Sequence, residues 1–215
     1  ENQNTARVNN HYRQEDLYGA TCYGWMPLSW LSFTASYDIR YSKLRADIKH
    51  FDTVHRLDQK AVMAVQTNWN GIQFAVSMLY QHYRDHTNVL VGAADPLERF
   101  TPAISLAYGI KNLTLRAWYK KIFRAPTLND LYYTQVGNRN LKPEYTKQWN
   151  IGAEYKYQGK NWYGSLQADA YINKIEDRIV CLPLKGTYSW SMLNYGYTYC
   201  RGLNATAKAV LSPRD

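Results

Sequence analysis

Along most of the chain, apolar and polar residues alternate with a period of two, the signature of strands with one apolar face. From Trp30 to Ser42, Leu31, Phe33, Ala35, Tyr37, Ile39 and Tyr41 oppose Ser32, Thr34, Ser36, Asp38, Arg40 and Ser42. Ala61, Met63, Val65, Thr67 and Trp69 mark a second such run, ended by Asn70-Gly71. Asn-Gly between two alternating runs predicts a hairpin, because both central residues of a type I′ turn need positive φ. Ile72, Phe74, Val76, Met78 and Tyr80 follow, then Ile104, Leu106, Tyr108 and Ile110 up to Lys111-Asn112. Leu113, Leu115, Ala117 and Tyr119 make the next face, followed by Trp149, Ile151, Ala153, Tyr155 and Tyr157. Trp162, Gly164, Leu166, Ala168, Ala170 and Ile172 form another, and a last strand is expected over Leu193–Leu211. At the other end the pattern starts at Leu17, and residues 1–14 read as the tail of a polar loop.

The connections alternate in length: short at 27–29, 70–71, 111–112 and 158–161, long at 45–51, 84–98, 124–144 and 182–191. Soluble sandwiches follow no such rule, whereas outer-membrane barrels have tight periplasmic turns and long extracellular loops. Trp25, Trp30, Trp69 and Trp162 all flank short turns, where a lower aromatic girdle would lie. The expected fold is therefore all-β, a partial antiparallel up-and-down transmembrane β-barrel; a β-sandwich with core tryptophans is the alternative. About nine strands cannot close alone, since bacterial barrels have an even number and no open edge in lipid. An interior piece of one larger barrel domain spanning 1–215 is expected, and by itself it should self-associate through its edges.

Composition sharpens this picture. Of the 215 residues 46 % are apolar and 15 % aromatic, too rich for disorder, and 20 Tyr with 7 Trp outweigh 5 Phe. Side chains with an apolar body and a polar tip suit a membrane–water boundary. No run of about 18 apolar residues exists to make a transmembrane helix, but barrel strands hide their hydrophobicity in alternation. The net charge of +9 is scattered, without a compact basic run, which argues against nucleic acid as a partner.

The connection Phe123-Arg124-Ala125-Pro126-Thr127-Leu128-Asn129-Asp130-Leu131-Tyr132, continued by Asn140-Leu141-Lys142-Pro143-Glu144, reads as a long loop because its prolines interrupt any ladder. It resembles the barrel signature of TonB-dependent outer-membrane receptors. Arg99–Tyr108, Gln148–Tyr155, Ala170–Val180 and Arg201-Gly202-Leu203-Asn204 resemble the flanking strands, with Asn204 where the family usually has an acid. The resemblance covers about residues 99–206. It implies an importer of an iron chelate, haem or cobalamin in the outer membrane of a Gram-negative bacterium. It further implies a plug domain inside the barrel and an amino-terminal segment that engages TonB, both outside this stretch.

Candidate chemistry is sparse. No Cys or His spacing suggests a metal site, and no cofactor is expected. Cys181 and Cys200 flank one long loop and face the same way by alternation, so they are either disulfide-linked or free thiols; Cys22 has no evident partner. His11, His50, His55, His82 and His86 fall at or near long connections. Asp85 beside His86, or Asp52 near His55, could activate water, but no paired acidic or Ser-His constellation accompanies them, and an enzyme is not expected. Arg40, Asp58, Lys60, Arg116, Lys120, Glu154 and Asp169 fall on the polar faces, where a wet lumen would hold a plug. Tyr132, Tyr133, Arg139, Lys185, Tyr188 and Trp190 on the long loops combine aromatic surfaces with cations suited to a flat or anionic metal chelate.

Overall fold

Alternation carried over so many segments leaves each strand one face to bury in something apolar and one to keep wet, and a single curved sheet satisfies both. The computed structural model describes residues 10–49, 51–87, 92–184 and 189–211. Its strands are β1 (Tyr12–Leu28), β2 (Leu31–Ala46), β3 (Val54–Trp69), β4 (Ile72–Thr87), β5 (Leu97–Ile110), β6 (Leu113–Arg124), β7 (Glu144–Gln158), β8 (Trp162–Pro183) and β9 (Trp190–Leu211), with one helix, α1 (Leu128–Tyr132), between β6 and β7. They form one nine-stranded sheet in sequence order, each strand antiparallel to the next. The sandwich alternative needs two stacked sheets, and the described strands form one.

The turns obey the expected chemistry. Asn70 and Gly71 have φ of 48° and 77°, as a type I′ turn requires, and a Cβ on Gly71 would meet the Gly109 carbonyl oxygen at 2.8 Å. Lys111 also has positive φ, 50°. The Asn70-Gly71 turn pairs Val54 with Thr87 and Trp69 with Ile72 without a slip.

One ladder row, Trp25–Phe33–Val65–Val76–Ile104–Tyr119–Trp149–Ile172, crosses eight strands on the apolar face. It begins beside a short turn at Trp25 and reaches β8 ten residues past Trp162, so it climbs from the short-turn end to the middle of the 22-residue β8. That stagger is the shear that accompanies strand tilt in a barrel wall. The apolar face is open: Met63, Ile151, Leu166 and Leu203 are 73 %, 64 %, 57 % and 85 % exposed. An apolar surface of this extent is compatible with lipid, not with bulk water. Tyr119 and Trp149 rings lie 5.5 Å apart on this face, and Trp162 packs with Tyr157 at the short-turn end, so aromatic residues border the apolar band at both levels.

Three expectations need correction. Residues 12–14 are strand rather than loop, because Tyr12, Arg13 and Gln14 pair with Ala46, Arg45 and Leu44. The long connection after β6 contains α1, one turn of helix. Cys181 and Cys200 are free and exposed. Cys181 pairs with Met192 and Cys200 with Asn173; Met192 and Cys200 lie eight residues apart on β9, roughly 26 Å at a strand rise of about 3.3 Å. A disulfide needs Cα atoms within about 7 Å, so the two cysteines are too far apart along the hairpin to be bridged.

Candidate functional site

Buried side chains gather at the long-connection end of the polar face, where residues 125–143 lie. Leu44 and Val54, ladder partners on β2 and β3, are each 1 % exposed beneath Leu128, Leu131, Tyr132 and Leu141, with Ile179 of β8 in the same cluster. The connection thus folds over the concave side instead of standing away from the sheet. Its helix starts for a local reason: Asp130 N–H donates to Thr127 Oγ1 at 3.1 Å and Thr127 N–H donates to Asp130 Oδ2 at 2.9 Å, a reciprocal capping box. Gly137 closes the following turn, where a Cβ would meet the Tyr133 carbonyl oxygen at 2.6 Å.

Ionic and polar anchors tie this connection to the wall on every side. Arg56 Nε and Nη2 donate to the two carboxylate oxygens of Asp85 at 2.6 and 2.8 Å, and its Nη1 donates to the Pro126 carbonyl at 2.6 Å. Tyr132 Oη donates to Asp85 Oδ2 at 2.8 Å and accepts from Ala94 N–H at 2.9 Å. Arg124 spans the two ends of the connection, 3.3 Å from Asp130 and 2.8 Å from Glu144. Glu144 in turn accepts from Ile179 N–H at 2.6 Å. On β9, Asn194 accepts from Lys142 N–H and donates to the Lys142 carbonyl, at 2.7 and 2.8 Å. On β1, Tyr12 Oη lies 2.6 Å from Thr134 Oγ1 and its ring 4.6 Å from that of Tyr133. The connection therefore bridges the whole concavity from β1 to β9.

Burial pushes the Tyr132 hydroxyl up to about 12, since the phenolate would lose its hydration, and the neighbouring Asp85 carboxylate acts in the same direction. Tyr132 is only 6 % exposed. Its expected place among ligand-presenting side chains is thus corrected: the hydroxyl is engaged inside the protein and the ring fastens the connection. Tyr133 is half-buried and Arg139 exposed, with the guanidinium 5.6 Å from the Tyr132 ring centre. Arg139 and Leu131 line two adjoining hollows, of about 380 Å³ with Phe51, Asp52 and Tyr133, and of about 350 Å³ with Asp95 and Leu141. Trp190 begins β9 opposite Pro183 and is 52 % exposed, but it lines neither hollow. Tyr188, Lys185 and His50 lie outside the described residues.

Below this site the polar face continues as a charged wall. Arg40 is the ladder partner of Asp58, and Lys60 reaches Asp58 at 2.9 Å. Arg116 reaches Asp169 at 2.7 Å over Gly152, which lies between them on β7. A Cβ at Gly152 would collide with Asp169 and sit 2.9 Å from Arg116 Nε, so this glycine is what allows the pair to close across a strand. Glu154, on the same face, pairs with Lys156 at 3.4 Å. A hollow of about 580 Å³ lined by Trp30, Gln66, Gln73, Arg116 and Trp118 opens near the short turns.

Asp85 and His86, adjacent in β4, point to opposite faces, and Asp85 is committed to Arg56 and Tyr132. Among the described residues no group of three or more His, Cys, Asp or Glu could hold a metal ion. Sequence reasoning overlooked Arg56, Arg124, Glu144 and Asn194. The first was within reach, because the Asn70-Gly71 turn sets Arg56 opposite Asp85.

Residues 2–212 match the family model described as TonB dependent receptor-like, beta-barrel. A vitamin B12 transporter, BtuB, of Vibrio vulnificus is 36 % identical over 87 residues, 40 % of this chain and 13 % of that protein. Its counterpart in Photobacterium profundum is 32 % identical over 88 residues, 40 % of this chain and 14 % of that protein. The chain thus aligns with about a seventh of these curated relatives. Among solved structures, the FrpB iron transporter of Neisseria meningitidis superposes with a TM-score of 0.72 at 12 % identity, over 92 % of this chain and 33 % of that one. The Serratia marcescens hemophore receptor HasR, in complex with HasA and heme, gives 0.70 at 14 % identity, over 94 % and 40 %.

Proposed function

Since the chain belongs to the TonB-dependent receptor β-barrel family, we propose that it is part of the wall and mouth of an outer-membrane receptor that binds and imports a scarce nutrient such as an iron chelate, haem or cobalamin. The family is one of transport receptors, not enzymes. The observation that carries the reading is the inward-folded connection 125–143, hydrogen-bonded to β1, β3, β4 and β9 and packed on Ile179 of β8, above a charged concave wall. Such a bridge stiffens the mouth of a lumen that must hold a plug and pass a solute.

In this reading the apolar face meets outer-membrane lipid. Arg40, Lys60, Arg116, Glu154 and Asp169, of mixed sign, face the plug domain, and TonB is engaged through an amino-terminal segment of the whole protein. Tyr133, Arg139 and Trp190 present aromatic and cationic surface to the nutrient. The relatives named for vitamin B12, iron and heme support the substrate class.

The test uses the intact receptor. Titration with a ferric chelate, haem and cobalamin should give saturable binding of one of them, and cells lacking the receptor should fail to accumulate that compound. Arg139→Ala should weaken binding while leaving the receptor in the outer-membrane fraction. Failure to bind any metal-containing compound would remove the reading.

A further inference from the structure

His55 and His86 stand directly opposite each other across β3 and β4, on the outward face of the sheet. Their chain neighbours point inward and hold the connection 125–143. Val54, before His55, is buried beneath that connection, and Arg56, after it, donates to the Pro126 carbonyl. Asp85, beside His86, accepts from both Arg56 and Tyr132. The two imidazoles thus sit back to back with the Arg56–Asp85 clamp, one rung away on the same ladder.

The surroundings of the pair are cationic. Lys43 of β2 is the ladder partner of His55, Arg45 follows it on the same face, and Arg84 precedes His86 on that face of β4. From β2 the Tyr41 hydroxyl also meets His55 Nδ1, with the two rings 5.7 Å apart. One acid ends the row, Glu15 opposite Lys43 on β1, and Arg13 engages it at 3.0 Å. With neutral imidazoles the row Lys43–His55–His86 carries one positive charge; with both protonated it carries three side by side. Like charges directly opposed across strands destabilise a sheet.

His55 lies fourteen residues before Trp69 and His86 fourteen after Ile72, the residues that flank the Asn70-Gly71 turn. At about 3.3 Å per residue and a tilt of roughly 40° that is about 35 Å of rise. An apolar band of about 25 Å ends well beneath them, so both rings reach water and titrate. From this arrangement we propose that the His55–His86 rung is an acid-operated release for the connection 125–143. Protonation pushes the long-connection ends of β3 and β4 apart directly behind Arg56 and Asp85, and the bridge over the concave face loosens. Burial, and then the charges of Lys43, His86 and Arg45, hold the His55 imidazole below its ordinary 6.5. A lowered folded value means that the stabilising contribution is complete above pH 6.5 and is lost as pH falls through the folded value. The device goes beyond the import reading and works whichever nutrient is carried.

The test follows hydrogen exchange of the backbone amides of 125–143 in the intact receptor, without nutrient, at pH 7.5 and pH 5. Rates are expressed as protection factors, which remove the intrinsic pH dependence of exchange. In the unsubstituted receptor protection should fall about fivefold on acidification. H55Q, H86Q and the double variant should match it at pH 7.5 and keep that protection at pH 5. H55K, charged at both pH values, should show the weaker protection already at pH 7.5, and K43Q should shrink the acid-induced fall. Two single histidine variants keep the test decisive if one of them misfolds. Protection that does not change between the two pH values overturns the proposal. So does a fall that persists in the double variant, because carboxylates elsewhere would then be responsible. Neither result bears on nutrient binding, so the functional reading stands or falls separately.

Discussion

Arg56 and Asp85 face each other across the β3–β4 ladder and close a two-pronged ion pair at 2.6 and 2.8 Å, with their side chains only 10 % and 3 % exposed. The third prong of Arg56 takes the Pro126 carbonyl, and Asp85 also accepts from Tyr132. One pair thereby holds both ends of α1 against the wall. Removing one partner strands the other charge without water. R56A or D85N should therefore destabilise the docked connection by about 3–5 kcal/mol. Limited proteolysis should then cut within 125–143, a segment the unsubstituted protein should protect. R56K should rescue only in part, because an ammonium cannot reproduce the fork. Unchanged protection in R56A would refute the anchor.

Tyr132 makes the same attachment sensitive to alkaline pH. Its hydroxyl ordinarily ionises near 10 and in the folded protein near 12, because burial disfavours the phenolate. A raised folded value means that the stabilising contribution is complete below pH 10 and is lost as pH climbs through 12. Y132F lacks both the hydrogen bond to Asp85 and the titration. Thermal unfolding of the two proteins should differ below pH 10, with the unsubstituted protein the more stable, and the gap should close between pH 10 and 12. A gap that holds constant or widens would contradict the assignment.

Most of the wall was legible because strand periodicity and short-turn chemistry are local. Asn70-Gly71 alone determines that Arg56 meets Asp85, Lys60 meets Gln81 and Val65 meets Val76. Long connections carry no such rule, so the β6–β7 register that sets Arg124 opposite Glu144 cannot be read from a turn, and the approach of Asn194 to Lys142 depends on how residues 125–143 fold back. α1 was missed because a single turn shows no helical period, although Thr127 and Asp130 stand at capping-box spacing. The disulfide expectation used the face of each cysteine and not its height along a 22-residue strand. Gly152 shows a further limit: nothing local marks it as the gap through which Arg116 reaches Asp169.

The register separates neighbouring residues by their surroundings. Ile151 and Leu166 lie on the outward face, 64 % and 57 % exposed, whereas Gln167 lies on the polar face, where it donates to Asp169 at 2.8 Å. Lysine at Ile151 or Leu166 should destabilise the intact receptor in bilayers by about 2–4 kcal/mol. Lysine at Gln167 should cost under about 1 kcal/mol, because its ammonium remains hydrated beside Asp169. Equal losses at Leu166 and Gln167, measured by denaturant unfolding in vesicles, would overturn the assignment of faces.

The outer strands of this sheet set the behaviour of the 215-residue chain on its own. β1 pairs only with β2 and β9 only with β8, so each leaves one row of N–H and C=O groups without a strand partner among the described residues. β9 is long, and beside its open edge Leu203 and Leu211 are 85 % and 81 % exposed. A long apolar edge templates pairing with another chain, and in lipid an unpaired backbone group costs several kcal/mol. The isolated chain should therefore associate with copies of itself or need detergent, and light scattering should report species larger than a monomer. Proline at Ala205 or Ala207, which removes an edge donor, should shift the distribution towards smaller species. A detergent-free monomer whose β1 and β9 amides resist hydrogen exchange throughout would mean that these edges are covered from within the chain, and the open-wall architecture would have to be abandoned.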